Sequence, residues 1–393
     1  MIFSALALSA AAKAGGASDI TASPAVKVCA NKGNWQNAPE NSIKAINDCT
    51  CDFVSVDVKL TADGVPVLME DETVSRTCAS DKNGKAVDGR VSEMKSADIT
   101  GLYLRNKNGG INSTVTDETV PTLENVLAKT DKTLILDFSL EALDAVYDTV
   151  SSASASQRVI FRIDGDKDDI ISAVSKKEKL PEIILKYDGS IIFSVISTIN
   201  AAKESGLQKV QIGSKNQYGV IFYDSVKNKI RNSSLEAVFS MTDGYNAKRG
   251  DNTVGWDDVI SHGYSIIETD YPELLSAYVK ESEALRQKIT ELLKESAEEY
   301  DFSDGIYSEN LIKKYKTAVE DTEALLETAA SESQLAEAYT KLNIACNELR
   351  VNDGAENEIS AKLNFSAGRI IAAVLCLAAV VAAQIYFVKR RKK

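Results

Sequence analysis

Between residues 26 and 275, short runs of aliphatic and β-branched residues alternate with stretches in which apolar positions recur every three or four residues. The runs predict strands at 26–30, 53–58, 65–70, 133–138, 158–163, 182–187, 209–212, 235–241 and 265–269. Several are near-continuous apolar runs, such as Ile183-Ile184-Leu185 and Leu134-Ile135-Leu136, as parallel strands buried on both faces require. Helical periodicity falls at 41–48, 123–129, 140–151 and 190–204. Alternation of this kind predicts an α/β fold, a TIM-type (β/α)8 barrel over residues 24–276. Nine strand candidates are one too many. Residues 59–64 are too short for a parallel crossover, so 53–58 and 65–70 form a hairpin or one assignment fails. Residues 75–121 show little apolar pattern and many Gly, Asn, Ser and Lys, which predicts an excursion from the top of the barrel.

After Tyr271-Pro272 the period becomes purely helical. Leu285, Ile289, Leu292 and Leu293 form one stripe. Leu311, Tyr315, Ala318, Val319, Thr322 and Leu326 form a second, and Leu335, Ala338, Tyr339, Leu342, Ala345 and Leu349 a third. Breaks at 301–308 and 329–333 separate them, and Ser331-x-x-Gln334 reads as a capping box. A small three-helix bundle is expected at 278–350, followed by a polar linker at 351–367.

The two ends carry targeting signals. Residues 1–19 open with a short apolar run and small residues, the pattern of a signal peptide. Residues 370–388 contain no charge and as a helix would extend about 28 Å, close to a hydrocarbon core. Lys389-Arg390-Arg391-Lys392-Lys393 follow directly. This predicts a transmembrane helix at 368–388 with a cytoplasmic basic tail at 389–393. The bulk of the chain is then extracellular, on a single-pass cell-membrane protein.

Charge and chemistry narrow the function. A net charge of −12 argues against a nucleic-acid partner, which needs clustered Lys and Arg. There is one histidine, His262, in the helical stretch before the last strand, where a surface or packing role is expected. Of six cysteines, Cys29, Cys49, Cys51 and Cys78 lie in the first eighty residues. In an exported protein such a cluster can pair, but spacing does not give the connectivity.

Three stretches carry a resemblance. The first runs through Ala30-Asn31-Lys32-Gly33, Pro39-Glu40-Asn41, Ser55-Val56-Asp57, Thr61-Ala62-Asp63-Gly64, Glu70-Asp71 and Arg76. The second is Val120-Pro121-Thr122-Leu123-Glu124, and the third Thr269-Asp270-Tyr271-Pro272. In this order and spacing they resemble the glycerophosphodiester phosphodiesterase family. The resemblance implies a barrel that cleaves glycerophosphodiesters. It implies a general base and acid, one histidine ending the first strand and another ending the third candidate strand. It also implies a divalent cation, Ca²⁺ or Mg²⁺, held by two acids on the second strand and a Glu on the fourth.

The chain departs from that pattern at the reacting positions. Asn31 and Glu70 stand at the two histidine positions, and Lys32 at an arginine position, where it is a candidate for substrate binding. Ser55 stands at the first metal-ligand position, while Asp57 and Asp137 remain as residual ligands. Asn has no titratable proton, and a site missing one carboxylate holds a hard cation weakly or not at all. Two readings follow. One is a catalytically impaired binding or scaffold protein whose ligand is a glycerophosphodiester, a polyol phosphate or a cell-wall polymer. The other is an active metal-dependent phosphoric diester hydrolase of lipid metabolism, in which Glu70, Asp57 and Asp137 hold the cation. In the helical segment, Ala297-x-x-Tyr300, Tyr307-Ser308, Leu325-Leu326 and Leu335-x-x-Ala338 resemble FIVAR-type repeats, which implies surface display or binding of carbohydrate or protein.

Overall fold

The structure, a computed structural model, describes residues 26–351 apart from 190, 215–218, 243–249 and 304–306. Eight parallel strands close into a (β/α)8 barrel. They are β1 (Lys27–Asn31), β2 (Phe53–Leu60), β3 (Leu134–Ser139), β4 (Val159–Asp164), β5 (Glu182–Gly189), β6 (Lys209–Ser214), β7 (Glu236–Ser240) and β8 (Ile266–Thr269). Each pairs with the next, and β8 returns to β1 with Ala30 opposite Thr269.

The alternation of side chains along each strand builds two cores. In β3, Leu134, Leu136 and Phe138 face outward into the large cluster shared with the surrounding helices. Ile135 faces inward and meets Cys29, Phe53, Ile160, Ile184, Val238 and Ile266. Below this apolar layer lies an ionic one at the strand starts. The Lys209 ammonium lies 2.7 Å from Glu182 and 2.9 Å from Glu236, which also pairs with Lys27. Above the apolar layer, towards the strand ends, the interior turns polar. This is the end where β/α barrels build their sites.

The surplus strand candidate is a hairpin. Pro66–Leu68 runs antiparallel to β2, with Val58 opposite Leu68. Gly64 makes the turn at φ 76°, a backbone conformation that suits glycine. The excursion has more structure than its composition predicts. Cys78–Ala79, Tyr103–Arg105 and Val115–Thr119 form a three-stranded antiparallel sheet. A small core of its own, including Val74, Val91, Ile99, Leu102 and Leu104, lies with it. These apolar residues are spread over two-, three- and five-residue strands and turns, so no window shows a period.

His262 caps the helix Thr253–Ser261, and its Nδ1 lies 2.7 Å from the Asp258 carbonyl. Its ring stands edge-on to Phe222, which accounts for it as a packing residue. Cys29, Cys49, Cys51 and Cys78 are free thiols, as is Cys346.

Three helices follow: Pro272–Glu299, Glu309–Leu326 and Glu332–Val351. The first runs unbroken through 276–278, because no proline or glycine interrupts it after its opening Pro272. The chain divides into two compact units, 1–289 with 323–337, and 290–322 with 338–393. In the first, Arg286 donates to the Leu326 and Thr328 carbonyls, capping a helix end. The Ser331 amide bonds Gln334, and the Gln334 amide returns to the Ser331 hydroxyl, completing the capping box. In the second, Tyr300, Phe302, Tyr307 and Tyr315 form an aromatic cluster, and the Tyr300 hydroxyl donates to the Cys346 carbonyl. The leader at 1–19, the linker beyond 351, the segment 368–388 and the tail 389–393 lie outside the described residues. Among those described, no helix is long and apolar enough to cross a membrane.

The ionic layer makes a prediction. Burial raises the Glu236 carboxyl, but Lys209 and Lys27 outweigh it and hold the group below its ordinary 4.5. A depressed carboxylate adds stability above its unfolded value, and that stability is lost as pH falls through the folded one. Lys209→Met should lower the unfolding free energy at pH 7 by about 1–3 kcal/mol. In urea titrations the gap from wild type should narrow below pH 4.5.

Candidate functional site

The strand ends and the loops after them bring the sequence-predicted residues to one mouth, in two clusters. The first is a loop cluster. Lys32 and Asn41 both have left-handed backbones, at φ 59° and 56°, and between them Gly33 at φ 80° lies so close to Ala45 that a Cβ would stand 2.7 Å from its backbone. This tight turn returns Asn41 to the barrel. There its side-chain amide donates to Asp57 at 3.0 Å and accepts from the Asp57 backbone at 3.0 Å. Lys32 pairs with Glu70. Burial lowers the Lys32 ammonium, but Glu40, Glu70 and Asp57 outweigh it and raise it above its usual value. Arg76 joins the loops, reaching Glu40 at 2.7 Å, Asp71 at 2.6 Å and Glu70 at 3.3 Å. Asp71 is five residues from Arg76 in the same loop, whereas Glu40 comes from a distant one.

The second cluster lies in the polar upper layer of the barrel. Asp57 and Asp137 are register partners on β2 and β3, and Asp137 and Arg162 on β3 and β4. Burial and the nearby charge of Asp137 push the Asp57 carboxyl up to about 7. Arg162 is 4% exposed. Its guanidinium lies 2.8 Å from Asp137, meets both oxygens of Glu268 at 2.9 and 3.0 Å, and donates to Gln211 at 2.9 Å. Burial disfavours the Glu268 carboxylate, but Arg162 outweighs it, with Ser55 and Ser240 adding hydrogen bonds, so the group is held below its usual range. Asn31 ends β1 and donates to Asp270 at 3.0 Å, a carboxylate that also accepts from Trp35 at 2.8 Å. Beside Asp57 and Asp137 opens a cavity of about 420 Å³, also lined by Lys59, Glu72, Asp164 and Lys186.

Comparison with known proteins places this mouth. Residues 32–181 match the model of the Glycerophosphoryl diester phosphodiesterase family. That segment is similar to glycerophosphodiester phosphodiesterase domains. Glycerophosphodiester phosphodiesterase 1 of Mus musculus is 32% identical over 108 residues, 26% of this chain and 30% of that protein. The glycerophosphodiester phosphodiesterase of Caldanaerobacter subterraneus subsp. tengcongensis is 32% identical over 124 residues, covering 30% and 47%. The match thus spans under half the length of these relatives. A solved structure from Silicibacter pomeroyi DSS-3, of a candidate glycerophosphoryl diester phosphodiesterase, superposes with a TM-score of 0.51 at 17% identity. It covers 66% of this chain and 94% of that one, a likeness that shows the shared fold.

Glycerophosphodiester phosphodiesterases generally use a divalent cation, and the donors present do not fit one. Ser55 is buried and uncharged, and Asp137 and Glu268 direct their oxygens to Arg162. The trio Glu70, Asp57 and Asp137 expected from the sequence is not assembled, because Glu70 is drawn to Lys32 and Arg76 in the loop cluster. Among the described residues, no group of three or more His, Cys, Asp or Glu side chains could hold a metal ion. Arg162, Gln211 and Glu268 are absent from the sequence-derived site. The signal was present: each is a polar interruption of an apolar strand, in Val159-Ile160-Phe161-Arg162-Ile163, Val210-Gln211-Ile212 and Ile266-Ile267-Glu268.

The loop cluster depends on Arg76, because the Glu40 side chain is only 3% exposed. Arg76→Ala leaves that carboxylate buried without its partner and should cost about 2–3 kcal/mol, less than the roughly 3–5 kcal/mol of a fully buried broken pair because Arg76 itself is one-third exposed. Adding Glu40→Gln should recover part of the loss in the same denaturant titration.

Proposed function

We propose that the barrel is a non-catalytic binding domain, displayed on the outer face of a cell membrane by the segment 368–388, whose mouth takes a glycerophosphate-like ligand. What carries this reading is the chemistry at the strand ends. Asn31 and Glu70 stand where the family resemblance expects imidazoles. Asn31 carries no titratable proton and commits its amide to Asp270, while Glu70 is engaged by Lys32 and Arg76. The scaffold around them is retained: Asn41 clasps Asp57, Arg76 ties the loops, and the Thr269 and Asp270 positions are ordered by Asp251. A mouth built this way keeps its shape and its cationic Lys32 but lacks a proton shuttle. The helices after the barrel, on this reading, space the mouth from the membrane or add a second binding surface of the FIVAR type.

One observation favours the alternative, residual hydrolysis of phosphoric diesters. Asp57 is a half-buried carboxyl whose pKa is pushed up to about 7, in the range that suits a general acid or base.

Assay of the purified protein on glycerophosphodiesters with Ca²⁺, Mg²⁺ or Mn²⁺ separates the two. General acid–base groups contribute about 10²–10⁴-fold each, so loss of both should leave turnover at least about 10⁴-fold below a histidine-bearing relative assayed alongside. Glycerol phosphate should nevertheless raise the melting temperature, as a ligand of the folded state does. Turnover within tenfold of the relative (~1.4 kcal/mol in barrier), abolished by Asp57→Asn, would establish the hydrolase instead.

A further inference from the structure

Two positions in the barrel interior bear on the missing ligand. On β2, Ser55 stands where the family resemblance expects a metal-ligating acid, and its hydroxyl donates to the Ala30 carbonyl at 3.4 Å; on β8, Glu268 brings a buried carboxylate into the same barrel interior. Between Glu268 and Asp137 lies the guanidinium of Arg162, within 3.0 Å of oxygens from both. A planar guanidinium offers donors along two edges, one here to each carboxylate, and is less strongly hydrated than an ammonium, so it suits an enclosed position between two anions. Asp57 lies beside Asp137 in register and adds a third carboxyl.

We propose that Arg162 is a built-in substitute for a divalent cation: it holds Asp137 and Glu268 together in the mouth, and its removal opens a site for a hard divalent cation among Asp57, Asp137 and Glu268. The inference deepens the non-catalytic reading and rests on it for the identity of the mouth. Three carboxyls with no internal cation repel one another, and oxygen ligands at about 2.3–2.6 Å are what Ca²⁺ requires. The same guanidinium excludes the ion in the wild type by occupying the oxygens and by charge.

The test reads cation binding, so its outcome is independent of whether the protein hydrolyses anything. Wild-type protein titrated with Ca²⁺ in a calorimeter, and with Tb³⁺ by luminescence, should show no saturable site, and chelator should leave its melting temperature unchanged. Arg162→Met, and the double variant Ser55→Glu with Arg162→Met, should bind Ca²⁺ at least about tenfold more tightly than wild type and melt lower in chelator than in Ca²⁺. Arg162→Lys keeps an internal cation and should stay without a site. A stoichiometric wild-type site lost on Asp57→Asn or Asp137→Asn overturns the proposal. So does an Arg162→Met protein that is folded by circular dichroism and binds no cation, or one that is unfolded and stays unfolded in Ca²⁺. Wild-type hydrolysis without cation binding would remove the non-catalytic reading and leave Arg162 in its assigned role.

Discussion

A guanidinium enclosed in the barrel sets the terms for the rest of the mouth. Arg162 is almost wholly removed from water, a state that costs several kcal/mol unless its donors are met by anions in good geometry. Asp137, Glu268 and Gln211 meet them from three other strands, β3, β8 and β6. The interaction therefore fixes the relative positions of strands far apart in sequence. It also consumes carboxylate oxygens that would otherwise face the opening. The donor set beside Asp57 is thereby reduced to one that a hard cation does not satisfy.

Stability and chemistry are separable in this architecture because they occupy different layers. The ionic layer at the strand starts and the apolar layer above it close the barrel without involving the mouth. The outer core between strands and helices is equally remote from it. The loop cluster around Arg76 and the Asn41–Asp57 clasp shape the mouth using pairings that need no imidazole and no metal. A fold can retain such pairings while its reacting groups change, which is why the fold shared with solved phosphodiesterases does not by itself carry an activity.

Much of the fold was legible because each strand buries both faces and so reads as an apolar run. Connection length narrowed residues 65–70 to a hairpin or a failed strand assignment, since six residues cannot cross a sheet, and the structure decided for the hairpin at Pro66–Leu68. The capping box at Ser331 is local, and local spacing predicts it. The excursion between β2 and β3 was not legible. Its core assembles from single residues in short strands, turns and a four-residue helix, such as Leu104, Val74 and Ile99, that become neighbours only after folding. Of the candidate site, the loop residues could be placed from their motifs, whereas Arg162, Gln211 and Glu268 could be seen only as polar breaks in strands.

The sequence by itself determined the alternation of strands and helices, the absence of histidine from the strand ends and the identity of the residues standing there. These are properties of type and spacing, which depend on nothing outside a short window. Tertiary structure decided the pairings. Whether Glu70 would join Asp57 and Asp137 or turn to Lys32, and whether an arginine on β4 would meet a glutamate on β8, depends on barrel closure and on which side chains face inward. Charges interact over a few ångströms in space, and residues 162 and 268 come within that distance only when eight strands have closed the ring.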